Sequence, residues 1–129
     1  MKYKVMIVED QTMPRELFEL RVQASERFEL ALSIDNAALA DVYCLRFPVD
    51  LILMDVITRD GENGLDAAAR IKRAFPQIKI IIVTSMPECS YLKRAKEIGV
   101  ESFWYKEEQR ESLLDVMERT MNGESVYPG

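Results

Sequence analysis

Three apolar runs in this chain do not alternate with polar residues, and they limit the fold more than any other feature. They are YKVMIVED (Tyr3 to Asp10), DLILMD (Asp50 to Asp55) and KIIIVTS (Lys79 to Ser85). A strand with one wet face alternates, whereas a continuous Val/Ile/Leu run is the pattern of a parallel strand covered on both faces. ESFWYK (Glu101 to Lys106) and the weaker FELALSI (Phe28 to Ile34) read as two further strands. Helical signals fill the gaps between them. Pro14 suits the first turn of a helix, with Leu17, Phe18, Arg21 and Val22 following at helical spacing. GLDAAARIKRAF is rich in helix formers and is ended by Pro76; YLKRAKEIG stops at Gly99, a natural C-terminal cap. Leu113, Met117 and Met121 form a stripe on a last helix, with Leu114 and Thr120 beside it. Strand then helix, repeated five times over short connections, predicts a parallel sheet with helices on both faces and right-handed crossovers.

Composition excludes several functions. A chain of 129 residues, 48% hydrophobic and 30% charged, is one globular domain's worth. Its net charge of −5, from 22 acids against 17 bases, argues against a nucleic-acid surface on this segment. No apolar stretch approaches the ~20 residues of a membrane span, and the start lacks a signal-peptide layout, so a cytoplasmic protein without membrane contact is expected. Cys44 and Cys89 lie far apart without CxxC spacing and read as reduced thiols. The chain contains 0 histidines, which removes Ser-His-Asp and Cys-His nucleophiles, His-ligated zinc and any phosphohistidine donor. Chemistry must run on carboxylates, hydroxyls and lysine.

In an open α/β sheet the ligand sits outside the carboxyl ends of the strands. The first strand delivers Glu9 and Asp10 there, the third Asp55, the fourth Thr84 with Ser85 beside it, and the fifth Lys106. Each alone reads as a solvated strand end; together they define a site. Three crowded acids cannot all stay ionised without a cation, unless one takes up a proton. Carboxylate oxygens with few other ligands suit Mg²⁺, and a carboxylate can also serve as nucleophile toward phosphorus. A metal, a lysine and a hydroxyl would then neutralise a transferring phosphoryl group. On this reading Glu9 and Asp10 hold the metal.

VED, LILMD, VTS and FWYK, in this order and at these strand ends, resemble the receiver domain of two-component response regulators over essentially the whole chain. The resemblance implies a flavodoxin-like (βα)5 three-layer sandwich with a five-stranded parallel sheet of order 2-1-3-4-5. It implies Asp55 as phosphoacceptor, Asp10 as a direct Mg²⁺ ligand, Glu9 acting at least through water, and the backbone carbonyl of Ile57 completing the set. Lys106 would pair with the phosphoryl group, Thr84 would hydrogen-bond it, and Phe103 stands at the family's switch position, where plain core packing is the competing role.

The implied function is Mg²⁺-dependent phosphoryl transfer from a sensor histidine kinase to Asp55, in a signalling domain rather than an enzyme. The readout would be dimerisation or release of an attached domain. Met86, Tyr91, Trp104 and Tyr105 are expected as exposed contacts on the face of the fourth and fifth strands and their helices.

The chain departs from the family pattern in two places. DVITRDGENGL lacks the usual Met-Pro-Gly after the acceptor and is about a residue longer, with Asp60 and Glu62 read as a solvated loop; Lys106 is followed by Glu107 rather than proline. The GESVYP ending and the missing proline resemble the NarL/LuxR-type branch, whose members act on DNA through a C-terminal helix-turn-helix domain that is not in this chain. Residues 1–122 are expected to be the receiver and 123–129 the start of a linker. The competing readings are a stand-alone or pseudo-receiver interaction module, an aspartyl phosphatase and a flavin-binding protein. The phosphatase normally needs a second Asp where Ile57 stands, and EDQTMPRE would repel a flavin phosphate.

Overall fold

The computed structural model describes residues 1–61, 63–86, 88–107 and 111–128. Strand and helix alternate as β1 (Tyr3–Val8), α1 (Thr12–Ala24), β2 (Phe28–Ile34), α2 (Ala40–Arg46), β3 (Leu51–Asp55), α3 (Gly64–Ala74), β4 (Lys79–Thr84), α4 (Cys89–Ile98), β5 (Ser102–Tyr105) and α5 (Leu113–Met121). The strands form one sheet of order β2-β1-β3-β4-β5, and every pairing is parallel. This is the flavodoxin-like order that the resemblance implies. Register is continuous through the centre, with Met6 opposite Ile52 and Ile52 opposite Ile80.

The unalternating runs are explained by two cores. Met6, Val8, Ile52, Met54, Ile80, Ile82 and Phe103 pack with residues of α2, α3 and α4. Val5, Ile7, Leu51, Leu53, Ile81, Val83 and Trp104 pack with Phe18 and Val22 of α1 and Leu113, Val116 and Met117 of α5. Successive strand residues thus enter opposite cores, and β3 and β4 at the centre of the sheet are covered on both faces. Among the described residues no helix is long and apolar enough to cross a membrane.

Helix ends follow the local signals. Gly99 ends α4 with a φ of 94°, a conformation open to glycine at little cost, and its N–H donates to Ala95 O and Lys96 O. The Asn63 side chain caps α3 by accepting from Leu65 N at 2.7 Å, and Ser112 Oγ caps α5 by accepting from Asp115 N at 3.1 Å.

One expectation fails. Trp104 is not an exposed contact on the α4–β5 face: it is 5% exposed and faces the opposite core. There it stands edge-on to Phe18 at 6.4 Å, and its indole N–H donates to Glu111 O at 2.9 Å. The two-residue period of β5 is the cause, since Phe103 and Trp104 must enter different cores. Met86 is exposed, whereas Tyr91 and Tyr105 are half-buried.

Candidate functional site

β1, β3, β4 and β5 each bring a side chain at or just past their last residue to the same rim, and the order β1-β3-β4-β5 makes those ends neighbours. Glu9 follows β1, fully buried, with its N–H fixed to Ile34 O at 3.0 Å. Its carbonyl accepts from Arg15 Nη1 at 3.2 Å, and its Oε2 accepts from Gln11 N at 3.2 Å. Asp55 closes β3, 7% exposed, with Oδ1 accepting from Val56 N at 2.8 Å. Lys106 follows β5, held by its own N–H to Thr84 O at 2.9 Å. From there its ammonium reaches Glu9 Oε1 at 2.5 Å and Asp55 Oδ2 at 3.2 Å. Glu9, Asp10 and Asp55 each offer a carboxylate oxygen within 4.8 Å of the others. Thr84 is buried at the end of β4, and its Oγ accepts from Met86 N at 3.1 Å.

The sequence expectation therefore brings Glu9, Asp10, Asp55 and Lys106 into one cluster, with Thr84 on the adjacent strand end. Ile57 lies on the rim, 43% exposed. Phe103 is set back in the core, facing α4.

Electrostatics show what this cluster lacks. Burial and the neighbouring Glu9 carboxylate push the Asp55 carboxyl up to about 7, although Lys106 pulls it down. Burial alone would lower the Lys106 ammonium, but the hydrogen bond to Glu9 and the charge of Asp55 prevail and raise it. One ammonium is thus too little positive charge for three acids. A divalent cation fits this donor set: hard oxygen ligands, an excess of negative charge, and a carboxyl that protonates near neutrality in its absence.

The loop after Asp55 lacks the usual Met-Pro-Gly but is held by other bonds. Thr58 is buried and its Oγ1 accepts from Ala37 N at 3.0 Å. Arg59 donates from its backbone to Asp35 O at 3.2 Å and from its guanidinium to Asp35 Oδ2 at 2.5 Å. Ile57 and Asn63 then pair as an antiparallel bridge that closes the loop. Glu62 and the side chain of Asp60, expected as a solvated loop, lie outside the described residues.

Sequence reasoning misses Gly64. Its N–H donates to Val56 O at 2.6 Å, and a Cβ built there would lie 1.8 Å from the Asp55 carbonyl oxygen. No side chain fits between α3 and the acid that closes β3. The available signal is a glycine opening a helix where alanine would be the better helix former.

The chain belongs to the response regulator receiver domain family, whose model matches residues 5–118. The VraR response regulator proteins of Staphylococcus epidermidis and Staphylococcus aureus are 32% and 31% identical over 127 residues. Both matches cover 98% of this chain and 60% of the relative, so the chain spans about 60% of the length of these curated relatives. A LuxR-family DNA-binding response regulator of Staphylococcus aureus superposes with a TM-score of 0.83 at 25% identity, over 92% of this chain and 98% of that one. The isolated receiver domain of RcsB from Salmonella enterica serovar Typhimurium, solved with phosphomimetic BeF3−, superposes with a TM-score of 0.89 at 15% identity. That match covers 99% of this chain and 94% of the other and bears on the fold alone. The class is therefore the response regulator receiver domain.

Two predictions follow from the geometry. Asp55 binds its proton more tightly folded than unfolded, so its stabilising contribution is full below about pH 4 and is lost as pH rises through about 7. The raised Lys106 acts only in alkali, outside this window. In chelator, thermal melting should fall from pH 5 to 8 in the wild type and much less in Asp55→Asn, which should gain at least about 1 kcal/mol at pH 8; parallel curves would contradict it. Gly64→Ala should cost about 1–3 kcal/mol by overpacking and shift the Asp55 and Val56 amide resonances; an unshifted spectrum would show that the contact does not position Asp55.

Proposed function

We propose that Asp55 is the phosphoacceptor of this receiver and that a sensor histidine kinase supplies the phosphoryl group. One carboxylate oxygen of Asp55 attacks phosphorus as the P–N bond to the kinase imidazole breaks. The bonding pair leaves with the imidazole nitrogen. The observation that carries this reading is the meeting of Glu9, Asp10, Asp55 and Lys106 at one strand rim.

Lys106 is already seated against Asp55 Oδ2, so its ammonium would accompany the arriving phosphoryl oxygens without large movement. Mg²⁺ held by Glu9, Asp10, Asp55 and the carbonyl of Ile57 would supply positive charge at those same oxygens. Without it, a carboxyl pushed up to about 7 is substantially protonated at neutral pH and is a poor nucleophile. Metal dependence thus follows from the proton affinity of Asp55 as well as from charge neutralisation.

Thr84 would exchange its local bond to Met86 N for the new oxygens, and Phe103 would move into the vacated space. This is a switch of the α4-β5-α5 face biased by a local electrostatic event. The domain turns over only its own aspartyl phosphate. Residues 1–122 form the receiver, and the output is transcription through a DNA-binding domain joined at 123–129, with homodimerisation on phosphorylation. The Staphylococcus aureus neighbour is described as a DNA-binding response regulator of the LuxR family, which supports that output. A cytoplasmic location accords with such a role.

Incubation with acetyl phosphate and Mg²⁺ should label the wild type and leave Asp55→Asn unlabelled, with chelator reducing wild-type labelling more than about tenfold. Undiminished labelling of Asp55→Asn would overturn the assignment.

A further inference from the structure

β5 lies at the edge of the sheet, where a strand normally presents unpaired backbone groups. Here that edge is covered by the chain's own C-terminal segment, which has no regular secondary structure of its own. The Phe103 N–H donates to Val126 O at 2.9 Å. In return the Val126 N–H donates to Ser102 Oγ at 3.0 Å. Ser102 is fully buried, and its hydroxyl lies 2.7 Å from Thr120 Oγ1. Thr120 spends its only hydroxyl proton on Val116 O at 2.7 Å, so Ser102 must donate to Thr120 and accept from Val126. A directed chain of hydrogen bonds therefore runs from the tail through β5 into α5.

Tyr127 adds a second attachment. Its hydroxyl donates to Val100 O at 2.6 Å, and its ring lies 6.1 Å from Phe103 with Lys96 of α4 5.1 Å from its centroid. Phe103 is in turn edge-on to Tyr105 at 5.4 Å, and Tyr105 pairs in register with Thr84. Three aromatic rings thus link the site end of β5 to the tail.

We propose that residues 125–128 are a latch rather than free linker: a strand-like segment docked on the β5 edge and held against Phe103, so that movement of Phe103 on phosphorylation loosens it. The docking stands on the contacts above; its trigger rests on the receiver reading. If the Phe103 ring moves toward the space vacated by Thr84, it leaves the Tyr127 ring behind, and the backbone bond from Phe103 N–H to Val126 O loses the ring contact that holds the tail over it. Whatever follows the tail would then be less tightly held to the receiver.

Residue-resolved amide hydrogen exchange on the 129-residue chain tests this. Without phosphoryl mimic, Tyr127→Ala and Val126→Pro should each speed exchange of the Phe103 amide at least about tenfold. The Ile81 amide, deep in the sheet, should stay unchanged as a control on folding. An unaltered Phe103 amide in both variants would overturn the docking. Adding Mg²⁺ and beryllofluoride to the wild type should shift the Val56 and Lys106 amides and speed exchange at Phe103 and Val126 by about tenfold. Site shifts with an unchanged tail would overturn the coupling. Absence of site shifts would instead count against the phosphoacceptor reading, and the comparison of variants would still decide the docking.

Discussion

Lys106 reaches across the rim to two acids that stand 97 and 51 residues before it in the chain. That contact orders the site, because among the described residues it is where ammonium charge meets the carboxylates that end β1 and β3. It is also insufficient. A single cation cannot compensate Glu9, Asp10 and Asp55 together, so burial and mutual repulsion leave Asp55 with a proton affinity near neutrality. The site is consequently sensitive to any added positive charge, and a doubly charged ion gives the largest relief.

The sheet makes this crowding tolerable. Its central strands are covered on both faces, and two of the acids are fixed by backbone donors, Gln11 N on Glu9 and Val56 N on Asp55. Gly64 brings α3 directly against the Asp55 carbonyl, and Thr58 and Arg59 tie the following loop to the chain after β2. Thr58 and Arg59 thus anchor the start of a loop that lacks the usual Met-Pro-Gly. Packing stores the electrostatic tension instead of letting the acids separate.

Much of this was legible in the sequence, because strand period and strand ends are local signals. Continuous runs such as LILM and IIIV announce two-sided burial, and the residue that ends each run announces the rim. What escaped is set by neighbours distant in the chain. SFWY carries no mark of which residue enters which core, so the sequence does not distinguish an exposed Trp104 from one packed on Phe18. Gly64 looks like an ordinary helix start until the Asp55 carbonyl is placed against it. The polar tail gives no hint of docking, since its partners are the Phe103 N–H and Ser102 hydroxyl of an edge strand, the Val100 carbonyl and a ring three residues from Lys106.

The most direct test is a carbon-13 NMR titration of the Asp55 carboxyl, followed with and without Mg²⁺. Crowding predicts a midpoint near 7 in chelator, displaced well below that when Mg²⁺ is added. A midpoint at the ordinary carboxylate value of about 4, indifferent to Mg²⁺, would contradict it.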